Sequence, residues 1–498
     1  MQFASGKSHR HGSHSGRKVL DALKLRWLPR MNRDSRNNAR HDISTCPNGY
    51  SPVQQGSTSS QSQRLSRPCP HRRPITRLPD ELLVHIFILA AQDDVMAPLT
   101  VTHICRYWRY LARQTAALWR RVALDSRLRL WNYYFHLSKA CTLDIELRLL
   151  SHTPSRTRRR DAMLANMSTV ELSMHLATRH IQRWRSLSLQ LSANVPYLWN
   201  TALVACCVPD KSAHAPALRE LRLVHPFNDD TKEFMLFDGH APHLSRVTLC
   251  GIRLIWLPSL FQDLTYLDYT HHGFTKGREA AAELLYMLEV SCRLRELRLV
   301  FSMTGGRASL VFDNIAFPSS PVQLPCLTYL KLSTDASDIP SAFIYILEHI
   351  SLPSLNSLSL CTKCDNDHVS FSRLRHVRRA IPPLPALTRV TAEGPWADTS
   401  FLSSLLRELI GVHRLTLASQ RLDEGSLRIL VQALYARAIA GSPLRVLDVG
   451  QCGTFRAREI VDAVERYQEV LRLELILPRG TCQADGAELA GGCVTSTY

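Results

Sequence analysis

The sequence predicts an α/β protein in two folded parts: a short, strongly apolar helical unit, then a long array of parallel strands backed by helices. Two observations predict this. Apolar residues between Ile75 and Trp119 recur at helical spacing. From about Ile181 the order apolar-x-x-apolar-x-apolar returns to the end of the chain, with helix-like runs between its occurrences. A third observation sets the limits: residues 1–74 are rich in Ser, Arg, His, Asn and Gln, and carry too little apolar surface for a core.

At 498 residues the chain has room for two or three domains. It is 45% hydrophobic and 21% charged, so most of it can fold as a globule. No apolar run approaches the ~18–20 residues that span a bilayer, which excludes an integral membrane helix. The N-terminal region has no uninterrupted apolar stretch, which argues against a secretory signal. Fourteen cysteines in this length do not form a dense disulfide scaffold. Cys250, Cys292, Cys326 and Cys361 sit in or beside predicted strands and read as reduced, buried thiols of a cytoplasmic or nuclear protein. In that compartment the glycosylation pattern Asn166-Met167-Ser168 is silent.

The net charge of +18 is unevenly placed. Residues 1–74 hold 14 Lys/Arg against 3 Asp/Glu, a net of +11, and the remaining residues hold 47 against 40. Basic character therefore belongs to a disordered tail, expected to give weak, salt-sensitive binding to polyanions. Within it, Arg17–Arg30 is the one structured-looking island. Leu20, Leu23, Trp27 and Leu28 line one side of a basic helix. That island fits a solvated tail segment, a nuclear-import or nucleic-acid patch, an anionic-membrane contact or a mitochondrial presequence. Gly6-Lys7-Ser8 is not a phosphate-binding loop, because the first glycine and the preceding strand are missing.

The helical unit opens at Pro79, suited to a first helical position. Asp80 and Glu81 follow, where negative charge complements the helix dipole. Leu82, Ile86 and Ala90 share a face that Leu83 and Phe87 widen. Pro98 opens a second run, in which Val101, Cys105, Trp108 and Ala112 keep helical spacing. A unit of roughly 45–50 residues buries its own apolar surface poorly, so its stripes either pack inward or meet a partner. The segment resembles an F-box, through Leu78-Pro79, Glu81-Leu82-Leu83, Ile86-Phe87, Val101, Ile104-Cys105, Trp108-Arg109, Leu111-Ala112 and Leu118-Trp119. Its middle, QDDVMAPLTV, is more polar than the common pattern. The resemblance implies a three-helix module over residues 75–121 that binds the Skp-type adaptor of a cullin–RING ubiquitin ligase. It assigns adaptor contact to Leu78, Pro79, Leu82, Leu83, Ile86, Phe87, Val101, Cys105, Trp108, Leu111 and Trp119.

Residues 122–180 are expected to connect the two parts. Leu143, Ile145 and Leu147 alternate there as a strand, and the Arg-rich SHTPSRTRRRD reads as an exposed loop. The repeat then runs from residue 181 to 478. It appears at Trp184-Leu187-Leu189, Leu218-Leu221-Leu223, Leu244-Val247-Leu249, Leu264-Leu267-Tyr269 and Leu294-Leu297-Leu299. It continues at Leu327-Leu330-Leu332, Leu355-Leu358-Leu360, Leu387-Val390-Ala392, Val412-Leu415-Leu417, Leu444-Leu447-Val449 and Val470-Leu473-Leu475. Helix-like runs such as EAAAELLYMLEV and SFLSSLLRELI lie between. A strand with a helix behind it, repeated every ~20–34 residues, is the signature of a leucine-rich-repeat solenoid, and the array resembles the irregular repeats that often follow an F-box. The Asn or Cys expected after the last apolar residue stands cleanly only at Cys452, so irregular turns are expected. Residues 479–498 read as a frayed tail.

No nucleophile elbow, dinucleotide fingerprint or HExxH is present, and nothing supports catalysis or a cofactor. Cys361-x-x-Cys364 with His368 has no second pair at zinc spacing, and Cys361 continues a strand. Asp238, His240 and His243, and His271 with His272, read as solvated loop residues. The useful surface is expected on the concave side of the sheet, where alternate strand residues point away from the core. There Tyr266, Arg298, Tyr329 and Lys331 are expected to form one client-binding patch, since aromatics concentrate at hot spots. Taken together, these features imply the substrate-recognition subunit of an SCF-type ubiquitin ligase. The alternative is a repeat scaffold or nucleic-acid-associated protein that works through its basic tail.

Overall fold

The computed structural model describes residues 78–124, 127–149, 159–192, 197–207, 213–301, 320–334, 338–362, 371–419, 424–452, 464, 466–471 and 473–476. The basic tail, residues 479–498, Cys364 and His368 lie outside the described residues. The chain divides into two compact units, Met1–Trp119 and Arg120–Tyr498.

The first unit holds helices α1 (Asp80–Asp93), α2 (Ala97–Ile104) and α3 (Arg106–Gln114), then a 3-10 turn over Ala116–Trp119. Pro79 is the residue before α1 rather than its first turn, and Asp80 and Glu81 occupy that turn. Leu83, Phe87, Ala90 and Ala91 form the buried stripe of α1. Pro98 sits in the first turn of α2. The helical spacing from Val101 to Ala112 predicts one run, but the chain breaks at Cys105, whose backbone is extended. Cys105 instead caps α3, its Sγ accepting from the Trp108 N–H at 3.4 Å. Phe87 and Trp108 pack with ring centroids 4.7 Å apart, and the Trp119 indole donates to the Ala112 carbonyl at 2.7 Å.

The second unit is built on strands and helices in alternation. In chain order these are β1 (Arg121–Leu124), α4 (Leu128–Leu137), β2 (Leu143–Leu149), α5 (Arg159–Thr178), β3 (Trp184–Leu191), α6 (Leu198–Leu203), β4 (Glu220–Val224) and β5 (Arg246–Cys250). Then come α7 (Pro258–Phe261), β6 (Tyr266–Thr270), α8 (Gly277–Val290), β7 (Glu296–Phe301), β8 (Val322–Gln323), β9 (Tyr329–Thr334), α9 (Ser341–Glu348), β10 (Ile350–Ser351) and β11 (Ser357–Thr362). The series ends with α10 (Leu374–Ala380), β12 (Arg389–Glu393), α11 (Thr399–Glu408), β13 (Arg414–Ala418), α12 (Glu424–Ile439), β14 (Val446–Asp448), α13 (Gln468–Leu471) and β15 (Glu474–Ile476). Among the described residues thirteen strands make one parallel sheet in sequential order, and β8 pairs with β10 apart from it.

Register follows the repeat pattern. The middle apolar residues Leu187, Leu221, Val247, Leu267, Leu297, Leu330, Leu358, Val390, Leu415 and Leu447 are paired in turn across β3 to β14. All are buried. A one-residue slip would turn such a row to water, so burial fixes the register. The last repeat departs: Leu475, not Leu473, meets Leu447. A shift of two keeps every side chain on its face, which is why the sequence pattern does not distinguish them.

The sheet also starts earlier than the repeat pattern does. Val122 pairs with Ile145, and Ile145 with Leu187, so β1 and β2 belong to the sheet and residues 122–180 are not a separate connector. The Arg-rich stretch becomes helical at Arg159. That helix, α5, has a sparse buried stripe of Val170, Met174 and Ala177, which makes its periodicity faint in sequence.

A backbone spine precedes the strands. The N–H groups of Arg219, Ser245, Thr265, Arg295, Thr328, Asn356, Thr388, His413 and Arg445 each donate to the carbonyl of the corresponding residue one strand earlier, at 2.8–3.1 Å. The hydroxyls of Thr265 and Thr328 donate to the same carbonyls at 3.1 and 3.0 Å. These bonds supply at the start of the strands the order that the sequence pattern lacks at their ends. At the far end, Cys452 donates its S–H to the Leu417 carbonyl at 3.4 Å, the role its position predicts.

Candidate docking surfaces

The eleven residues assigned to adaptor contact separate by burial. Pro79, Leu82 and Cys105 are exposed, and Leu78 and Ile86 are half-buried. Leu83, Phe87, Val101, Trp108, Leu111 and Trp119 are buried and pack the unit. Both groups are apolar and at helical spacing, so periodicity cannot tell them apart. What distinguishes α1 is a second stripe, Leu82, Ile86 and Leu89, displaced around the helix from the buried one. Leu82 is 51% and Leu89 46% exposed. Leu89 is missed by the sequence reading, although its i, i+7 relation to Leu82 was available. On α3, Tyr107 and Tyr110 are also exposed. The Tyr107 hydroxyl donates to the Asp80 carboxylate, which ties α3 to the first turn of α1 and, ahead of desolvation, pushes the phenol pKa up.

In the second unit, strand residues alternate between buried and partly exposed. Tyr266, Arg298, Tyr329 and Lys331 are half-buried on one sheet face, on the adjacent strands β6, β7 and β9. The structure brings them together. The Arg298 guanidinium lies 5.5 Å from the Tyr266 ring centre and 5.9 Å from that of Tyr329. Arg246 covers Tyr266 at 4.0 Å. Arg298 bonds Glu296 at 2.8 Å through Nε and pairs with it at 2.6 Å through Nη2. Lys331 is the backbone partner of Arg298. Burial and the charge of Asp268 push the Tyr266 phenol up, so it stays neutral and able to donate. Such stacked Tyr–Arg arrays are rigid, amphipathic contact surfaces.

His271 and His272 are not solvated: they are 5% and 0% exposed, in the link from β6 to α8. The N–H groups of Gly273 and Phe274 donate to Nδ1 of His271 and His272 at 3.1 and 3.0 Å. Nε2 of each ring therefore carries the proton. His272 donates it to Glu283 at 3.0 Å, and His271 donates to Thr275, whose hydroxyl bonds Glu283 at 3.0 Å. Arg253 adds a contact to Glu283 at 3.6 Å and pairs with Glu233 at 2.5 Å. Ligand atoms of His271, His272 and Glu283 come within 4.8 Å of one another, the one such group among the described residues. Their lone pairs and protons are already committed to each other and to the backbone, so the cluster is a structural clasp on α8. Asp238 is half-buried, and His240 and His243 are exposed, as loop residues.

The cysteines differ from expectation. Cys361 is buried in β11, Cys250 is half-buried, and Cys292 and Cys326 are exposed. Both exposed thiols lie in turns just ahead of strands, beside them as expected, but they are not buried.

Residues 75–125 match the F-box-like family model, so this segment is an F-box-like domain. Domains of that family generally bind Skp-type adaptors. No curated protein matches the chain. No helix among the described residues is long and apolar enough to cross a membrane.

Proposed function

We propose that this chain is a substrate-recognition subunit of an SCF-type ubiquitin ligase. Its F-box-like domain docks a Skp-type adaptor through the outer stripe of α1. Its sheet unit, read as an irregular leucine-rich-repeat solenoid, holds a protein client at Tyr266, Arg298, Tyr329 and Lys331. The chain performs no chemistry. It raises the effective concentration of the client beside a ubiquitin carrier, and bond formation occurs on other subunits. That places it in the cytoplasm or nucleus.

The observation that carries the reading is the second apolar stripe of α1, exposed at Leu82 and Leu89 on a domain of the F-box-like type. Fully burying a leucine is worth about 1.5–3 kcal/mol. About half of that remains available at each, so the two supply roughly 1.5–3 kcal/mol on docking, ~10–150-fold in Kd. L82D/L89D should lose adaptor binding by at least that factor with unchanged circular dichroism. Wild-type adaptor affinity in the folded variant would end the proposal. The second reading, a scaffold that works through a polyanion-binding tail, is favoured by the +11 charge of residues 1–74. It predicts that no adaptor copurifies.

A further inference from the structure

The outward face of the sheet is polarised in charge along the strand order. On β1 to β3 its arginines are paired: Arg121 with Glu146 at 2.9 Å and Arg185 with Asp144 at 2.6 Å. On β7, Arg298 is held by Glu296 at 2.6 Å. On β4 to β6 Arg222 and Arg246 share the face with Glu220 and Asp268, whereas from β9 to β13 the first two outward rows carry no acidic residue. Across β9, β11, β12 and β13 the first two rows of this face are Tyr329, Ser357, Arg389, Arg414 and, beside them, Lys331, Ser359, Thr391, Thr416, of which only Ser359 is buried. None of the eight is acidic. Neither Lys331 nor Arg389 forms an ion pair with a carboxylate among the described residues. Arg414 meets Asp448 of β14 at a long 3.3 Å. Glu393 stands one outward row further along β12.

A strip in which, among the described residues, Lys331 and Arg389 stand in no ion pair, Arg414 shares only Asp448 at the strip's edge, and hydroxyls lie between is complementary to negative charge. Strands lie ~4.8 Å apart, so β9 to β13 spans ~14 Å. An extended polypeptide laid across the strands covers that distance with four or five residues at ~3.3 Å each. Its carboxylates would meet Lys331, Arg389 and Arg414, while Ser357, Thr391 and Thr416 donate hydrogen bonds between them. We infer that this strip receives an extended segment of the client rich in Asp and Glu. The inference rests on the reading of this face as the client site. It adds that recognition is acidic and extends from the Tyr–Arg patch toward β13.

The test uses the full chain and a fluorescein-labelled peptide of alternating Glu and Ser, measured by fluorescence anisotropy. R389E/R414E leaves Tyr266, Arg298, Tyr329 and Lys331 untouched. R375E/R407E places the same charge change on exposed positions of α10 and α11. The strip variant should weaken peptide binding at least tenfold, and the helix variant no more than about twofold. Equal losses in both, or none in the strip variant, would overturn the inference by showing only an unspecific attraction to a basic protein. So would tighter, equally R389E/R414E-sensitive binding of a single-stranded RNA of the same length, which would make the strip a nucleic-acid surface. Failure of the client reading itself registers separately, as full client binding by the variant with Ala at Tyr266, Arg298, Tyr329 and Lys331.

Discussion

Replacing Glu283 by Gln removes the charge at the centre of the clasp on α8 and keeps its size. Burial alone would raise the pKa of this carboxyl. The hydrogen bond from His272 and the charge of Arg253 outweigh burial and hold it at about 2, against an ordinary 4.5. The difference corresponds to about 3 kcal/mol of stability at neutral pH. The side chain is 25% exposed, so solvent screening takes only a small part of this. The folded pKa is the lower one, so the contribution is complete above the unfolded pKa and drains away as pH falls toward 2. At pH 3 about 1.4 kcal/mol of it remains. For a unit of this length, 3 kcal/mol corresponds to a Tm change of roughly 4 °C. Thermal melts of wild type and E283Q, followed by tryptophan fluorescence, should differ by that amount at pH 7 and by less than half of it at pH 3. Equal Tm values at pH 7, or a gap that does not shrink at pH 3, would refute the account of the clasp.

Leu221→Ala should cost about 2–5 kcal/mol in unfolding titrations, as a cavity in the paired apolar row, while Arg222→Ala on the exposed face stays within about 0.5 kcal/mol. Deleting residues 1–74 should leave the melting temperature unchanged and abolish salt-sensitive heparin retention; a drop of several degrees would show that the tail packs on the folded units. A thiol reagent should label Cys292 and Cys326 in the native protein but reach Cys206 and Cys361 only after unfolding, since burial pushes both of the latter pKa values up. Ala at Tyr266, Arg298, Tyr329 and Lys331 together should lose a crosslinked client and keep the adaptor; retention of the client at wild-type affinity would displace the site from this face.

The sheet was legible because one signal, an apolar residue every second position inside a fixed short motif, reports both strand and facing. Leu187 through Leu447 fall into paired register on that signal alone. The same motif was present at Trp119-x-x-Val122-x-Leu124, but Trp119 also completes the helical unit, and one residue serving two patterns hid the start of the sheet. In β2 the motif's first position is Thr142, so it was not visible there. The Tyr–Arg patch followed from alternation plus neighbouring repeats. The burial of His272 did not, because it depends on Glu283, eleven residues away on α8. In α1 the sequence showed two stripes and gave no means of ranking them: Leu82 and Leu83 are adjacent and identical, yet one is half-exposed and the other buried. Only the third dimension decides which leucine faces the neighbouring helix.

The backbone spine has a consequence for how such a chain can change length. Its successive donors stand 20 to 33 residues apart, yet each uses the same pair of atoms, an amide and the equivalent carbonyl one strand before. The junction between neighbours is therefore indifferent to the length and sequence of whatever loops out between them. A cassette of strand and helix copied into the gene would find its donor and acceptor waiting on both sides, and one excised would leave its neighbours able to join. Growth by duplication and shrinkage by deletion are thus built into the wiring of the sheet, which leaves the outward side chains free to diversify.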